Sequence, residues 1–223
     1  IGVGDEGGFS PDIAIPEYAL RFITQAILNA GYNFDQIGIA LDIAASELFD
    51  QGKYTIDDAV RAVDYSVLME HYQSWVKNYP IISLEDPFAE DDWKAWQEFS
   101  LLSLSFESEV NFMNTHRLMI VGDDLFVTNV NRVQKGATEN AANAIIIKPN
   151  QIGTLTETIK CIKFAKSCGF DIIISHRSGE TCDATIADIA VATGAGFIKS
   201  GAPCRGERVA KYNRLIEIAN EIG

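Results

Sequence analysis

Six short apolar, β-rich runs stop abruptly in polar residues: IGIALD at 37–42, IISLED at 81–86, MIVGDD at 119–124, AIIIKPN at 144–150, DIIISHRS at 171–178 and GFIKSG at 196–201. Each suits one strand, and near-continuous apolar character marks strands buried on both faces. Segments with helical spacing separate most of them, such as Val60, Val63, Val67, Leu68, Tyr72 and Trp75, or Leu155, Ile159 and Ile162. Thr55-Ile56-Asp57-Asp58 and Thr154-Leu155-Thr156-Glu157 read as helix starts whose side-chain oxygens cap orphan amides. One amphipathic segment opens the pattern after Pro16, and another closes it with Val209, Tyr212, Leu215, Ile216, Ala219 and Ile222. A helix followed by six βα units predicts an α/β fold with a parallel sheet covered by helices, as a barrel or an open doubly wound sheet. No G-x-G-x-x-G or G-x-x-x-x-G-K-[ST] follows a strand, which removes the usual nucleotide-binding argument for the open form. Ser100 to His116 lacks a clear period and reads as a helix end plus a surface loop.

With 223 residues, 47% of them hydrophobic, the chain can build one large domain or two small ones. The net charge of −13 argues against nucleic acid and anionic membrane as partners, since both demand a basic surface. No apolar run reaches membrane-spanning length, and Ile1 to Glu6 lacks the features of a signal peptide, so a cytoplasmic location is expected. Cys161, Cys168, Cys182 and Cys204 form no C-x-x-C pair and read as reduced or incidental thiols.

In a parallel barrel the carboxyl ends of the strands open on one face, so residues ending different strands converge there. Those residues are Asp42, Glu85, Asp123, Lys148, His176 and Lys199. Three converging carboxylates repel unless a cation sits among them, and oxygen-only ligands favour a hard ion, Mg2+ before Mn2+ or Ca2+. Any one of the acids could instead cap the following helix; Asp86 and Asp124 suit that role, or one of supporting the neighbouring acids, better, and Glu90-Asp91-Asp92 reads as a solvated helix N-terminus. Lys148 follows three isoleucines and precedes Pro149, where burial and a nearby divalent cation would both favour the free amine of a proton acceptor; the competing reading is a structural pair with an acid such as Glu85. His176, followed by Arg177 and Ser178, belongs to an anion-binding loop in which arginine offers a planar fork to phosphate. Glycines around Glu6 in GVGDEGGFSPD allow close backbone approach to a ligand.

Seven motifs in order, GDEGGF, ALDIAASELFD, YPIISLEDPFAEDDW, VGDDLFVTN, IIIKPNQIGTLTET, ISHRSGET and IKSGAP followed by RVAKYN, make the chain resemble the enolases over essentially its full length. The resemblance implies a TIM-like (β/α) barrel of the enolase type, with residues 1–223 as a C-terminal barrel domain of six βα units. It implies the Mg2+-dependent, reversible dehydration of 2-phosphoglycerate to phosphoenolpyruvate, a glycolytic lyase reaction. Carried over by motif, Asp42, Glu85 and Asp123 match metal ligands, Glu85 and Asp123 also bordering the substrate. Lys148 matches the base and Glu6 the acid associated with loss of the hydroxyl. Ser175, His176, Arg177 and Ser178 match the substrate loop, and Lys199 a lysine at the carboxylate and hydroxyl end. Pro149 stands where valine is more usual, Cys182 where an acid is common, and Cys204-Arg205-Gly206 replaces a serine-containing sequence; none of these touches an assigned role.

The family carries an N-terminal α+β domain and further barrel strands upstream of GDEGG. The resemblance therefore implies a truncated chain, inactive in isolation, whose full-length form is a homodimer or larger ring. Two other readings are a sugar-acid dehydratase of the same superfamily and a non-catalytic binding or structural protein on an enolase scaffold.

Overall fold

A computed structural model of the chain describes residues 2–56, 62–106 and 117–223. In chain order its elements are β1 (Gly2–Val3), β2 (Phe9–Ser10), α1 (Pro16–Asn29), β3 (Ile39–Asp42), β4 (Phe49–Asp50), β5 (Lys53–Tyr54), α2 (Tyr65–Asn78), β6 (Ile81–Glu85), α3 (Trp93–Ser103), β7 (Met119–Gly122), α4 (Val130–Glu139), β8 (Ala144–Ile147), α5 (Pro149–Ile152), α6 (Leu155–Ser167), β9 (Asp171–Ser175), α7 (Thr185–Thr193), β10 (Phe197–Lys199) and α8 (Gly206–Ile222). All six apolar runs are strands, each ending where its polar residues begin. The elements group into two compact units, one of Ile13–Phe126 with Gln134–Asn143, the other of Ile1–Asp12, Val127–Val133 and Ala144–Gly223.

In the first unit β6 pairs in parallel with β3 and with β7, which sets Asp42 opposite Glu85 and Glu85 opposite Val121. Ile81, Leu84 and Ile120 are fully buried, as continuous apolar strands require. Over them lies an aromatic cluster in which Phe88 meets Tyr72, Trp96 and Phe99 edge to face at 5.8, 6.3 and 5.5 Å. Such pairs each add about 0.5–1.5 kcal/mol beyond their burial. The polar ends of these rings hold the turn after β6: the hydroxyl of Tyr72 donates to Pro87 O at 2.9 Å, and Trp96 Nε1 donates to Ala89 O at 3.0 Å. Tyr54 accepts the Ala89 amide at 3.0 Å and donates to Asp92 Oδ2 at 2.8 Å. Asp92 is also the N-cap of α3, accepting the Ala95 amide, as its place in an acidic run suggested.

The helix expected from Thr55 onward begins instead at Tyr65, with Asp64 as N-cap. Val63, assigned to that helix by its spacing, exchanges both backbone hydrogen bonds with Tyr54 at 2.8 Å. Tyr54 is fully buried, so its backbone groups need partners, and that pairing outranks the helical period. Asp57, Asp58 and Val60 lie outside the described residues, as does the stretch from 107 to 116 within the expected loop; before it, α3 ends in a 3-10 turn at Leu104–Phe106.

In the second unit β9 pairs in parallel with β8 and β10. Ile145, Ile146, Ile147, Ile172 and Ile174 are buried, on both faces of the sheet, each contributing about 1.5–3 kcal/mol on leaving water. Thr154 is the expected N-cap of α6, accepting the Glu157 amide at 3.2 Å while its hydroxyl donates to Glu157 Oε2 at 2.7 Å. Among the described residues no helix is long and apolar enough to cross a membrane. The four cysteines are free thiols, and burial pushes the Cys161 thiol up to about 11.

Candidate active site

Lys148 lies one residue past β8. The register pairs Ile147 with Ile174 and Ser175 with Lys199, so Lys148, Ser175 and Lys199 follow one line across the ends of three parallel strands. Pro149 keeps the preceding backbone extended, with φ −120° at Lys148, and opens the short helix α5. The Lys148 amide donates to Thr128 Oγ1 at 3.0 Å, and that hydroxyl donates to Gln151 Oε1 at 2.8 Å. Thr128 is fully buried with φ +56°, next to Val127 at +42°. Left-handed backbone at two β-branched residues is unusual and costs on the order of 1–3 kcal/mol each, so the surrounding bonds must hold it. Nothing in the letters Val-Thr announces such a turn, and sequence reasoning missed it.

In the same unit Glu6 sits on a turn closed by Gly4 N–H to Gly8 O at 2.9 Å and Gly7 N–H to Gly4 O at 3.0 Å, with φ +85° at Gly7. Gly7 thereby supplies the left-handed residue that the turn needs. The Ser178 hydroxyl donates to Glu6 Oε1 at 3.3 Å, and His176 Nε2 lies 3.2 Å from Glu6 Oε2. His176 is buried and Glu6 half-exposed. Burial holds the imidazole below its ordinary range, the Glu6 charge opposing this and the Arg208 and Lys199 charges adding to it. Arg177 is exposed; its Nη1 donates to Asn150 Oδ1 at 3.1 Å and its amide to Glu180 Oε1 at 3.2 Å. Glu6, His176 and Ser178 are thus brought together, with Arg177 between the last two in the chain. Two buried cations beneath this loop, Arg208 and Lys211, escaped the sequence reading, although their i, i+3 spacing in RVAK on an amphipathic helix was the available signal.

The three acids belong to the other unit. Glu85 and Asp123 are buried, whereas Asp42 is exposed at the end of β3. Among the described residues no three His, Cys, Asp or Glu side chains gather closely enough to hold a metal ion. The register aligns Asp42 with Glu85 at neighbouring strand ends, the first exposed and the second buried. Asp86 is the organising acid here, accepting the amides of Asp123 at 3.0 Å and Asp124 at 2.9 Å. Burial pushes its carboxyl up to about 7; the two amides pull it down, while the Asp123 and Asp124 charges push it further up.

The family model described as Enolase, C-terminal TIM barrel domain, matches residues 1–223. Enolase 2 of Pseudomonas syringae pv. syringae (strain B728a) is 50% identical over 222 residues, covering 99% of this chain and 49% of that protein. Enolase of Elusimicrobium minutum (strain Pei191) is 51% identical over 221 residues, with the same coverage of 99% and 49%. The chain spans about half the length of the curated relatives it matches. With parallel βα units and a matching model over all of its residues, the chain belongs to the enolase family, in the part described as its C-terminal TIM barrel domain.

Proposed function

We propose that the protein carrying this chain is a phosphopyruvate hydratase, a cytoplasmic glycolytic lyase that interconverts 2-phosphoglycerate and phosphoenolpyruvate with Mg2+ and works as a homodimer or larger ring. Residues 1–223 form its barrel domain in this reading. The observation that carries it is the Glu6 carboxylate between the Ser178 hydroxyl and the His176 ring, on a loop that also presents an exposed guanidinium. An acid next to a cation suits a substrate that bears both a hydroxyl to lose and a phosphate to hold. Relatives named Enolase at about half identity support the same reaction.

In this reading Arg177 offers its planar fork and Ser178 its hydroxyl to the phosphate, while Ser175 and His176 shape the loop. The Lys148 amine takes the proton beside the substrate carboxylate, and Lys199, on the same register line, contacts the carboxylate and hydroxyl end. Glu6 passes a proton to the departing hydroxyl, which leaves as water. The substrate thereby loses one proton and one hydroxide and gains a double bond. The Mg2+ requirement rests on the donor chemistry of Asp42, Glu85 and Asp123, oxygen ligands that would suit a hard ion.

The gene product at its natural length should convert 2-phosphoglycerate to phosphoenolpyruvate, read as the absorbance of the new conjugated bond. Chelation should abolish the gain and Mg2+ restore it. Action on sugar acids with no response to 2-phosphoglycerate would replace this reading by the dehydratase one; substrate binding without turnover would leave a binding protein. The 223 residues assayed alone should show no turnover, and measurable turnover by them would refute that part of the proposal.

A further inference from the structure

Arg208 is the third residue of α8 and its side chain is 1% exposed. A buried cation in the first turn of a helix opposes both solvation and the helix dipole, so other groups must compensate for it. They are mostly neutral oxygens. Nη1 donates to Arg177 O at 2.8 Å, and Nη2 donates to Ser178 O at 2.7 Å and Asp5 O at 2.9 Å. Among the described residues Nε has only the Glu207 carboxylate near it, at 3.6 Å. One guanidinium thus joins the glycine-rich turn carrying Glu6 to the loop carrying His176, Arg177 and Ser178. Lys211, one turn further along α8, extends the clamp: its Nζ holds Glu180 Oε2 at 2.8 Å, and Glu180 holds the Arg177 amide.

The remaining Arg208 contact assigns a proton. Nη1 lies 2.6 Å from His176 Nδ1. Arginine can only donate, so Nδ1 must present its lone pair and the ring proton must sit on Nε2. A doubly protonated ring would set two N–H groups against each other. Nε2 is buried, completes no hydrogen bond among the described residues, and lies 3.2 Å from Glu6 Oε2, while the Ser178 hydroxyl reaches Oε1. We propose that Arg208 is a positioning residue: it holds His176 as the neutral Nε2–H tautomer, which sets that N–H beside Glu6 Oε2, and it holds the Ser178 backbone, whose hydroxyl reaches Oε1. The charged groups facing the ring are Glu6, which favours a second ring proton, and Arg208 and Lys199, which oppose it. The link to catalysis rests on the reading of Glu6 as the acid at the hydroxyl end; the tautomer does not.

The test is 15N NMR of the gene product at its natural length, labelled at histidine, with the His176 signal assigned by its loss in His176→Asn. The expected spectrum shows a proton on Nε2 and a bare Nδ1 across about pH 5 to 8, where an ordinary imidazole changes charge. A proton on Nδ1 instead, or a cationic ring at neutral pH, overturns the proposal, and this measurement on the unmodified protein needs no variant to fold. In Arg208→Gln the ring should titrate at higher pH than in the parent, and kcat should fall about 100-fold, the scale of a misplaced catalytic group. Arg208→Lys, which keeps the cation, should hold the ring titration close to the parent. Lost turnover with an unchanged His176 spectrum means that Arg208 only packs, and it overturns the assignment. A protein showing the expected tautomer but no action on 2-phosphoglycerate leaves the Arg208 role standing and removes the proposed function.

Discussion

Replacing Lys148 by alanine in the gene product at its natural length lowers turnover of 2-phosphoglycerate by about 10^2 to 10^4-fold, the range lost with a general base. That corresponds to about 3 to 5 kcal/mol of barrier. The fold should survive, because the backbone of this residue is held on its own account. Its amide is bonded to Thr128 Oγ1 and its carbonyl accepts the Gln151 amide at 2.9 Å, and both bonds survive loss of the side chain. Behind it Ile145, Ile146 and Ile147 remain buried, and truncating this half-buried side chain should cost about 1 kcal/mol, the ordinary effect of a single substitution. The effect should therefore sit in kcat, with KM and Tm nearly constant, and exchange of the substrate proton beside the carboxylate into heavy water should stop. Unchanged turnover, or exchange that continues, would remove Lys148 from the proton transfer. A fall in Tm matching the fall in activity would make it a structural lysine, the competing reading of a charged residue at the end of an apolar strand.

Strand ends were the legible part of this molecule. An isoleucine run closed by a proline can be little other than a buried strand that stops, and Lys148, Glu85 and Lys199 stand where those stops were read. Thr154 and Asp92 were legible because a cap is a local device, satisfied within three residues of its own helix. The errors arose where long-range pairing decides. Val63 has a helical neighbourhood in sequence and a strand partner in space. Thr128 was harder still, since its importance lies in a positive φ angle and in an amide contributed by a residue that spacing does not connect to it. Asp42 stands, as read, at a strand end in register with Glu85, but its exposure beside a buried Glu85 is set by what covers each strand, which register does not encode. Arg208 was missed because a cation on a closing helix reads as solvated surface until its burial is seen.

Gly201→Ala should be the most damaging single methyl addition around Glu6. Gly201 has φ +78°, and a Cβ built there would lie 2.7 Å from Glu6 O and 2.8 Å from Arg208 Cδ. The first contact is with backbone that already accepts the Ala202 amide at 2.9 Å, and the second is with a side chain tied to three carbonyls, so neither can yield cheaply. The Gly201 carbonyl is itself held by the Tyr212 hydroxyl, which stops the turn from rotating away. Left-handed backbone costs an alanine about 1–2 kcal/mol. Forcing extra volume into a packed contact adds about 1–3 kcal/mol. Gly169→Ala separates the two contributions, because Gly169 has φ +82° with nothing within 4 Å of an added Cβ. In urea unfolding at constant m, Gly169→Ala should lose only the backbone part, whereas Gly201→Ala should lose both. Activity should separate the variants further, since only Gly201→Ala pushes the Glu6 backbone away from Arg208, the residue that orders His176 and Ser178 around the Glu6 carboxylate. Equal losses of stability and equal activities in the two variants would mean that Glu6 and Arg208 do not close on Gly201 as described, and the coupling between α8 and the Glu6 turn would fall with them.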